Sequence, residues 1–417
     1  MFGNLQPVPA DPSATSGGIE WRRIAVPAFG PTTAAAVGSG ATIPVLALGA
    51  RDLGATVSVA ALAVAASLLA ELVFSIPAGS VVSRVGERRA LIVASFVDVV
   101  MSLAAWLAPG LPVFFAALFL SGFSSSVFLI ARQGYLVQAV PVNARARAMS
   151  TLGGVHRIGM FIGPFLGAPV VHAFGPRAAF AVSAVAGTVA GLVTWLAPDI
   201  TAAHEAAERA APRRSTWEVL VSKRRILLTL GTGVLVIGAV RASRIGLVPL
   251  WAEHVGLTAA ETSVVFGVAA GVEMLLFYPV GSVMDRHGRV WGAVPCVVVM
   301  GAAILALPHT STLFGVAGVT VVAAIGNGLG SGIVMTLGAD HAPEDGRPQF
   351  LGGWRFLSVV GGSGGPALIS VVAALAGLAT AATIVGALAI LGAGWLGWWV
   401  SAFDGERRRA RMPRSGS

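Results

Sequence analysis

The sequence predicts an all-α membrane protein with twelve transmembrane helices arranged as two six-helix pseudo-repeats. Three observations predict it: a low charge content, a succession of apolar runs of membrane-crossing length, and a repeat at half-chain spacing. Of 417 residues, 55% are hydrophobic and only 11% are charged, with a mean hydropathy of +0.81. A soluble chain of this length needs far more charge to cover its surface. A span takes roughly 20 apolar residues to cross a hydrocarbon core of about 30 Å, so twelve spans use about 250 residues. The 53 glycines suit helices that pack closely through small side chains.

The apolar runs place six helices at 25–49, 57–82, 90–109, 111–133, 150–173 and 178–197. Six more follow at 226–250, 260–283, 291–308, 312–337, 355–377 and 380–400. The expected organisation is a tail at 1–24, a bundle at 25–197, a polar linker at 198–225, a second bundle at 226–401 and a basic tail at 402–417. The first 23 residues are polar and show no short apolar core with a small-residue cleavage site, so no cleaved signal peptide is expected.

Orientation follows from the loops. With the N-terminus inside, 22 of the 28 basic residues fall on the inner side, among them Arg209, Arg213 and Arg214 of the linker. The outer side takes Arg51 and Arg177. Both termini are therefore expected to be cytoplasmic. The net charge of +9 reflects these loops; no soluble basic domain is present to bind nucleic acid. Cys296 is the single cysteine, which excludes an intrachain disulfide. No Walker-type phosphate loop and no clustered Cys/His metal pattern is present, so neither ATP, a metal nor another cofactor is expected.

Residues 71–86 read ELVFSIPAGSVVSRVG and residues 273–288 read EMLLFYPVGSVMDRHG. At an offset of 202, seven of these sixteen positions are identical: Glu71/Glu273, Pro77/Pro279, Gly79/Gly281, Ser80/Ser282, Val81/Val283, Arg84/Arg286 and Gly86/Gly288. Leu152-Gly153-Gly154 with Arg157 recurs as Leu351-Gly352-Gly353 with Arg355, at a slightly different offset. A unit of six helices has been duplicated, and an even number keeps both copies in one orientation.

The first loop of this repeat, from Gly79 through Ser83, Arg84, Gly86, Arg88 and Arg89, resembles the major facilitator superfamily signature G-x-x-x-D-R-x-G-R-R/K. The second, from Gly281 through Asp285, Arg286, Gly288 and Arg289, matches it more fully. In helix five, Gly159, Gly163, Pro164, Gly167 and Ala168 are similar to the G-x-x-x-G-P-x-x-G-G pattern of the drug:proton antiporter branch, echoed by Gly361, Gly365 and Pro366 in helix eleven. Two positions depart: Ser83 replaces an aspartate, and Leu118 stands where the antiporter branch has a helix-four arginine, with Arg132, further along, the candidate to take its place. The resemblance implies a monomeric secondary transporter of the cell inner membrane, working by alternating access and exporting a small amphiphilic or hydrophobic compound in exchange for protons. The transport alternative is uptake or facilitated diffusion of a polar or anionic metabolite. A non-transporting sensor or assembly partner is the rival of another class, and a duplicated gate loop argues against it.

The resemblance makes Gly79, Arg84, Gly86, Arg88, Gly281, Asp285, Arg286, Gly288 and Arg289 a latch on the cytoplasmic side. The glycine stripe with Pro164 becomes a close-packed hinge. The residues themselves add candidates, because a charge at bilayer depth costs roughly 3 kcal/mol or more unless neutralised or paired. Glu71, Glu273 and Asp98 are proton-coupling candidates. Arg241 and Arg244, three residues apart on one helix face, are candidates for ion pairs with Glu71 or Glu273 or for an acidic substrate group. Arg157 and Arg355 are expected at cytoplasmic helix ends, and His156 near one as a surface or capping group.

Overall fold

A backbone in lipid has no water to bond, so each apolar run satisfies its own N–H and C=O groups as a helix. The computed structural model describes residues 21–55, 57–141, 144–197, 215–257 and 259–411. Its first half comprises α1 (Trp21–Thr42), α2 (Val57–Val85), α3 (Glu87–Trp106), α4 (Leu111–Ala139), α5 (Arg145–Phe174) and α6 (Ala179–Leu196). Its second half comprises α7 (Arg224–His254), α8 (Ala259–His287), α9 (Val290–Ala306), α10 (Leu313–Leu329, resumed at Ile333–His341), α11 (Arg347–Ala376) and α12 (Leu378–Arg411). Among the described residues α3 to α12 are ten helices long and apolar enough to cross a membrane; α1 and α2 complete the twelve. The expected tail at 1–20, the linker segment 198–214 and the end at 412–417 lie outside the described residues.

Several helices outrun their apolar stretches at the arginine-rich end. α5 begins at Arg145 rather than 150, α11 at Arg347 rather than 355, and α12 continues to Arg411. Hydropathy marks where lipid contact begins, whereas arginine, alanine and glutamine continue a helix readily beyond it. α1 is interrupted by a 3₁₀ turn at Ile43–Val45 before resuming as Leu46–Asp52, where Pro44 has no N–H to donate. α10 is broken at Gly330–Gly332, with Gly332 at φ 74°. The α1 interruption is not marked by a fall in hydropathy, whereas the α10 break falls in the glycine-rich, less apolar run 326–332. A short helix, Thr216–Ser222, precedes α7; Ser215 and Glu218 cap it reciprocally.

The duplication is visible in the packing. α1 packs on α5 and α6, α2 on α4, and α3 on α4 and α6; the same five pairings recur among α7 to α12. The chain turns at matched glycines with positive φ: Gly54 and Gly256, Gly86 and Gly288, Gly175 and Gly377. Each pair is 202 residues apart. In the signature loop Gly86 (φ 89°) and Gly288 (φ 108°) take a backbone that a side chain disfavours.

The helix-five stripe faces α1. A Cβ on Gly159 would stand 2.6 Å from Ala36 Cβ, and one on Gly163 would stand 2.6 Å from the Ala41 nitrogen. In the second half Gly361 and Gly365 meet the α7 backbone at Leu235 and Ala239 in the same manner. α5 runs unbroken through Pro164 and Pro169, so the stripe joins two helices of one half. Gly163→Leu is expected to lower the melting temperature in detergent, since overpacking costs about 1–3 kcal/mol. Gly318→Ala, with nothing within 4 Å of the new Cβ, is expected to leave it unchanged. Equal melting temperatures for both variants would refute a sterically tight α1–α5 seam.

Candidate functional site

The halves are joined by two helix pairs, α2 with α11 and α5 with α8. Both pairs start at the arginine-rich end, hereafter the basic side. Gly79 lies against the Pro348 carbonyl, and a Cβ on Gly352 would stand 2.7 Å from the Ser75 carbonyl oxygen. A Cβ on Gly281 would stand 2.8 Å from Arg147 Cα, and Gly154 lies under the Phe277 ring. Gln133 donates to the Met335 carbonyl at 2.8 Å. Ser150 donates to the carbonyls of Phe277 and, at 3.1 Å, Ser331.

Asp285 reaches across this seam. Its carboxylate accepts from the backbone N–H of Ala146 (3.1 Å) and Arg147 (2.9 Å) in the first turn of α5. One half thus supplies an acidic cap to a helix of the other, where the positive end of the helix dipole favours it. Arg289 donates to Asp340 at 2.8 Å and to the Met284 carbonyl at 2.8 Å, and lies 3.4 Å from Asp285. Its own N–H donates to Asp404 at 3.1 Å, while Arg145 reaches Asp340 at 3.4 Å. Burial lowers the Arg289 pKa, but the surrounding Asp340, Asp285 and Asp404 raise it above the ordinary value.

The first signature loop is built differently. Ser83 donates to the Ser80 carbonyl of its own helix at 2.9 Å, and Ser80 shares a 2.6 Å hydrogen bond with Thr216 of the linker helix. Arg88 donates to the carbonyls of Trp195 and Ala197 at 2.9 and 2.8 Å, bracing α3 against the end of α6. Arg84 and Arg286 are exposed. Sequence reasoning missed Asp340, Asp404, Arg145 and the buried Glu87, which accepts from Gln138 at 2.9 Å. Their only sequence signal was charge near a helix end.

Deeper in, both seams reach a band of charge. Glu71 on α2 pairs with Arg355 on α11 at 3.3 Å. Glu273 on α8, only 8% exposed, receives Arg244 of α7 at 2.5 Å and Arg157 of α5 at 3.7 Å. Asn327 of α10 donates to the same carboxylate at 2.9 Å. Arg157 and Arg355 therefore sit well inside their helices, correcting the expectation of helix-end placement; the added polar turns at 145–149 and 347–354 carry them inward. Each is paired with a glutamate of the opposite half. Because α5 and α11 start 202 residues apart while these arginines differ by 198, they stand one turn out of register.

Arg241, by contrast with Arg244, donates to the Gly330 carbonyl freed at the break in α10, at 2.7 Å. Arg132 on α4 is 9% exposed, its Nε has no hydrogen-bond partner, and among the described residues no carboxylate pairs with it. It lies within electrostatic reach of Arg355, and His156 stands amid Arg132, Arg355 and Arg157. Asp98 is apart from this group, accepting from the Ser121 hydroxyl at 2.5 Å. Beyond the charged band the backbones part: Gly246 on α7, Gly267 and Gly271 on α8 and Gly362 on α11 have nothing within 4 Å of a would-be Cβ. The close backbone approaches between the halves are all on the basic side.

The model of the Major Facilitator Superfamily matches residues 32–366 and 230–414, and the chain belongs to that superfamily. Among solved structures, the human organic anion transporter MFSD10 (TETRAN) is similar with a TM-score of 0.72 at 13% identity, over 90% of this chain and 99% of that one. The proton:xylose symporter XylE, bound to 6-bromo-6-deoxy-D-glucose, gives 0.72 at 14% identity over 91% and 96%. The transporter FucP in its outward conformation gives 0.70 at 12% identity over 91% and 97%. No curated protein matches the chain in sequence. The protein is a multi-pass membrane transporter and not an enzyme, and it carries out secondary transport of a small molecule.

The cap supplied by Asp285 gives a testable consequence. In a Cys296→Ser background, a cysteine introduced at Ser331, 1% exposed beneath the seam, should react slowly with a maleimide from the basic side. Asp285→Asn is expected to raise that rate about tenfold, the equivalent of about 1.4 kcal/mol in the closing equilibrium. An unchanged rate would remove the latch role.

Proposed function

We propose that this transporter carries a small organic anion, bound between the halves by Arg132 and Arg355 with Arg157 and Arg244 alongside. The observation that carries this is Arg132: a buried guanidinium, 9% exposed, with no carboxylate to answer it among the described residues. Around the cavity five guanidinium groups, those of Arg132, Arg157, Arg241, Arg244 and Arg355, face two carboxylates, Glu71 and Glu273. An excess of three positive charges at bilayer depth requires anions, and a guanidinium fork suits a carboxylate or phosphate. The description of the neighbour MFSD10 as an organic anion transporter agrees with this charge balance.

Alternating access follows from where the charges sit. Both termini are cytoplasmic by the loop arginines, in a cell membrane, and the chain works as a monomer of two six-helix bundles joined by the linker 198–225. The halves pack together on the basic side, so this conformation is the one closed to the cytoplasm. An anion arriving at Arg355 or Arg157 displaces Glu71 or Glu273 from the guanidinium. The released carboxylate, held in a low dielectric, then needs another cationic partner. The cross-half pairs then loosen, and the halves can rock about the substrate.

A second reading, proton-driven export of an amphiphilic compound as in the drug:proton antiporter branch, is favoured by the helix-five stripe. It is the weaker reading, because that stripe is spent on joining α5 to α1 and because the cavity is ringed by charge.

The test is ligand-induced thermal stabilisation of the purified protein by benzoate, succinate and inorganic phosphate, with a cationic dye as comparator. At least one anion is expected to stabilise it, and Arg132→Gln to weaken that binding about 10- to 100-fold, as for lost charge-assisted hydrogen bonds of about 1.5–3 kcal/mol. Stabilisation by the dye alone, or full anion affinity in Arg132→Gln, would overturn the proposal.

A further inference from the structure

The first half also forms a partly open pocket of opposite chemistry. It has a volume of about 190 Å³ and lies among α1, α2, α3, α4 and α6. Among the described residues eight hydroxyl side chains and the carboxylates of Asp98 and Glu71 line it, and no basic residue does. A water occupies about 30 Å³ of liquid, so the space suits a hydrated ion. Drug-sized ligands need about 300 Å³ or more.

The wall is biased toward oxygen lone pairs. Thr42 commits its hydrogen to the Gly38 carbonyl at 3.1 Å, and Ser121 gives its own to Asp98 at 2.5 Å. Oxygens so committed face the cavity only as acceptors. Ser102 and Ser183 line the same space at 4% and 7% exposure, and neither hydroxyl has a hydrogen-bond partner among the described residues. Both line the pocket, where an unbonded hydroxyl is free to meet a ligand. The interruption of α1 at Ile43–Val45 also borders the cavity, and broken membrane helices are where backbone oxygens become available to ions.

We infer that this cavity is a binding site for a small alkali cation, with Asp98 as its charged ligand and the hydroxyls of Ser121, Ser102 and Ser183 completing it. Charge sets the valence. In the ion-paired state Glu71 is answered by Arg355 at 3.3 Å, so Asp98 alone offers the charge that first receives the ion. A divalent ion would call for more carboxylate than this.

Glu71 belongs to both sites, since it lines the cavity and holds Arg355. A cation in the cavity draws Glu71 away from Arg355 and frees that guanidinium for an anion; an anion on Arg355 releases Glu71 to the cation. The two ligands therefore bind with positive and reciprocal coupling. This second step rests on the anion reading above, whereas the cation site does not.

The experiment has two arms. In the first, the melting temperature of purified protein is followed at pH 8.5 in sodium, lithium, potassium or choline chloride at equal ionic strength, with no other anion added. A saturable rise with sodium or lithium over choline is expected. It should vanish in Asp98→Asn and require several-fold more cation in Ser102→Ala, which keeps all charges. In the second arm succinate affinity is measured with and without sodium, and a tightening of at least about 5-fold is expected, lost in Glu71→Gln. No alkali-ion effect in the first arm, or stabilisation that follows pH alone, overturns the cation site. Sodium stabilisation without any succinate binding leaves the cation site standing and refutes the anion reading instead. Succinate binding indifferent to sodium overturns the coupling through Glu71.

Discussion

A guanidinium held at bilayer depth has to be answered by charge, and here part of the answer comes from the other half of the molecule. Glu71 meets Arg355 at 3.3 Å and Glu273 meets Arg157 at 3.7 Å, each pair crossing the seam. Separating the halves along either helix pair takes a carboxylate from Arg355 or Arg157, and an unpaired charge at bilayer depth is costly. Contact between the halves and the charge state of the cavity are thus one variable. The glycine approaches at Gly79 and Gly281 bring the helices close, but the ion pairs give closing a dependence on what occupies the cavity.

The two seams are related by duplication without being equivalent. Asp285 caps α5 from across the interface, while Ser83, at the matching place, bonds only within α2. Glu273 has two arginines and an asparagine, while Glu71 has one arginine and borders a hydroxyl-lined cavity. α10 is broken where α4 is continuous, and the break gives Arg241 its carbonyl. Symmetry supplies the frame, and its local failures give each half separate chemistry.

Much of this was legible in the residues. Apolar length gave the helices, because lipid permits little else, and the 202-residue offset gave the pairing of the halves. The acids at 71 and 273 stood out because charge inside an apolar run is costly. Hydropathy failed at the helix ends: it puts Arg157 and Arg355 at cytoplasmic helix ends, with His156 near one as a surface or capping group, because the polar turns before them lie outside the apolar spans. Asp340 and Asp404 gave no warning, being acids near helix ends, a position usually filled by solvated residues. Ser102 and Ser183 were invisible, since serines in a membrane helix commonly bond back to their own backbone.

The sequence by itself determined the number of spans, their twofold repetition and the loop glycines that turn the chain, because lipid exclusion and backbone sterics act locally. Tertiary structure alone decided which arginine meets which glutamate, left Arg132 without a carboxylate among the described residues and gathered the hydroxyls of four helices around Asp98. Those outcomes depend on helix rotation and depth, which a one-turn shift of register between α5 and α11 is enough to change.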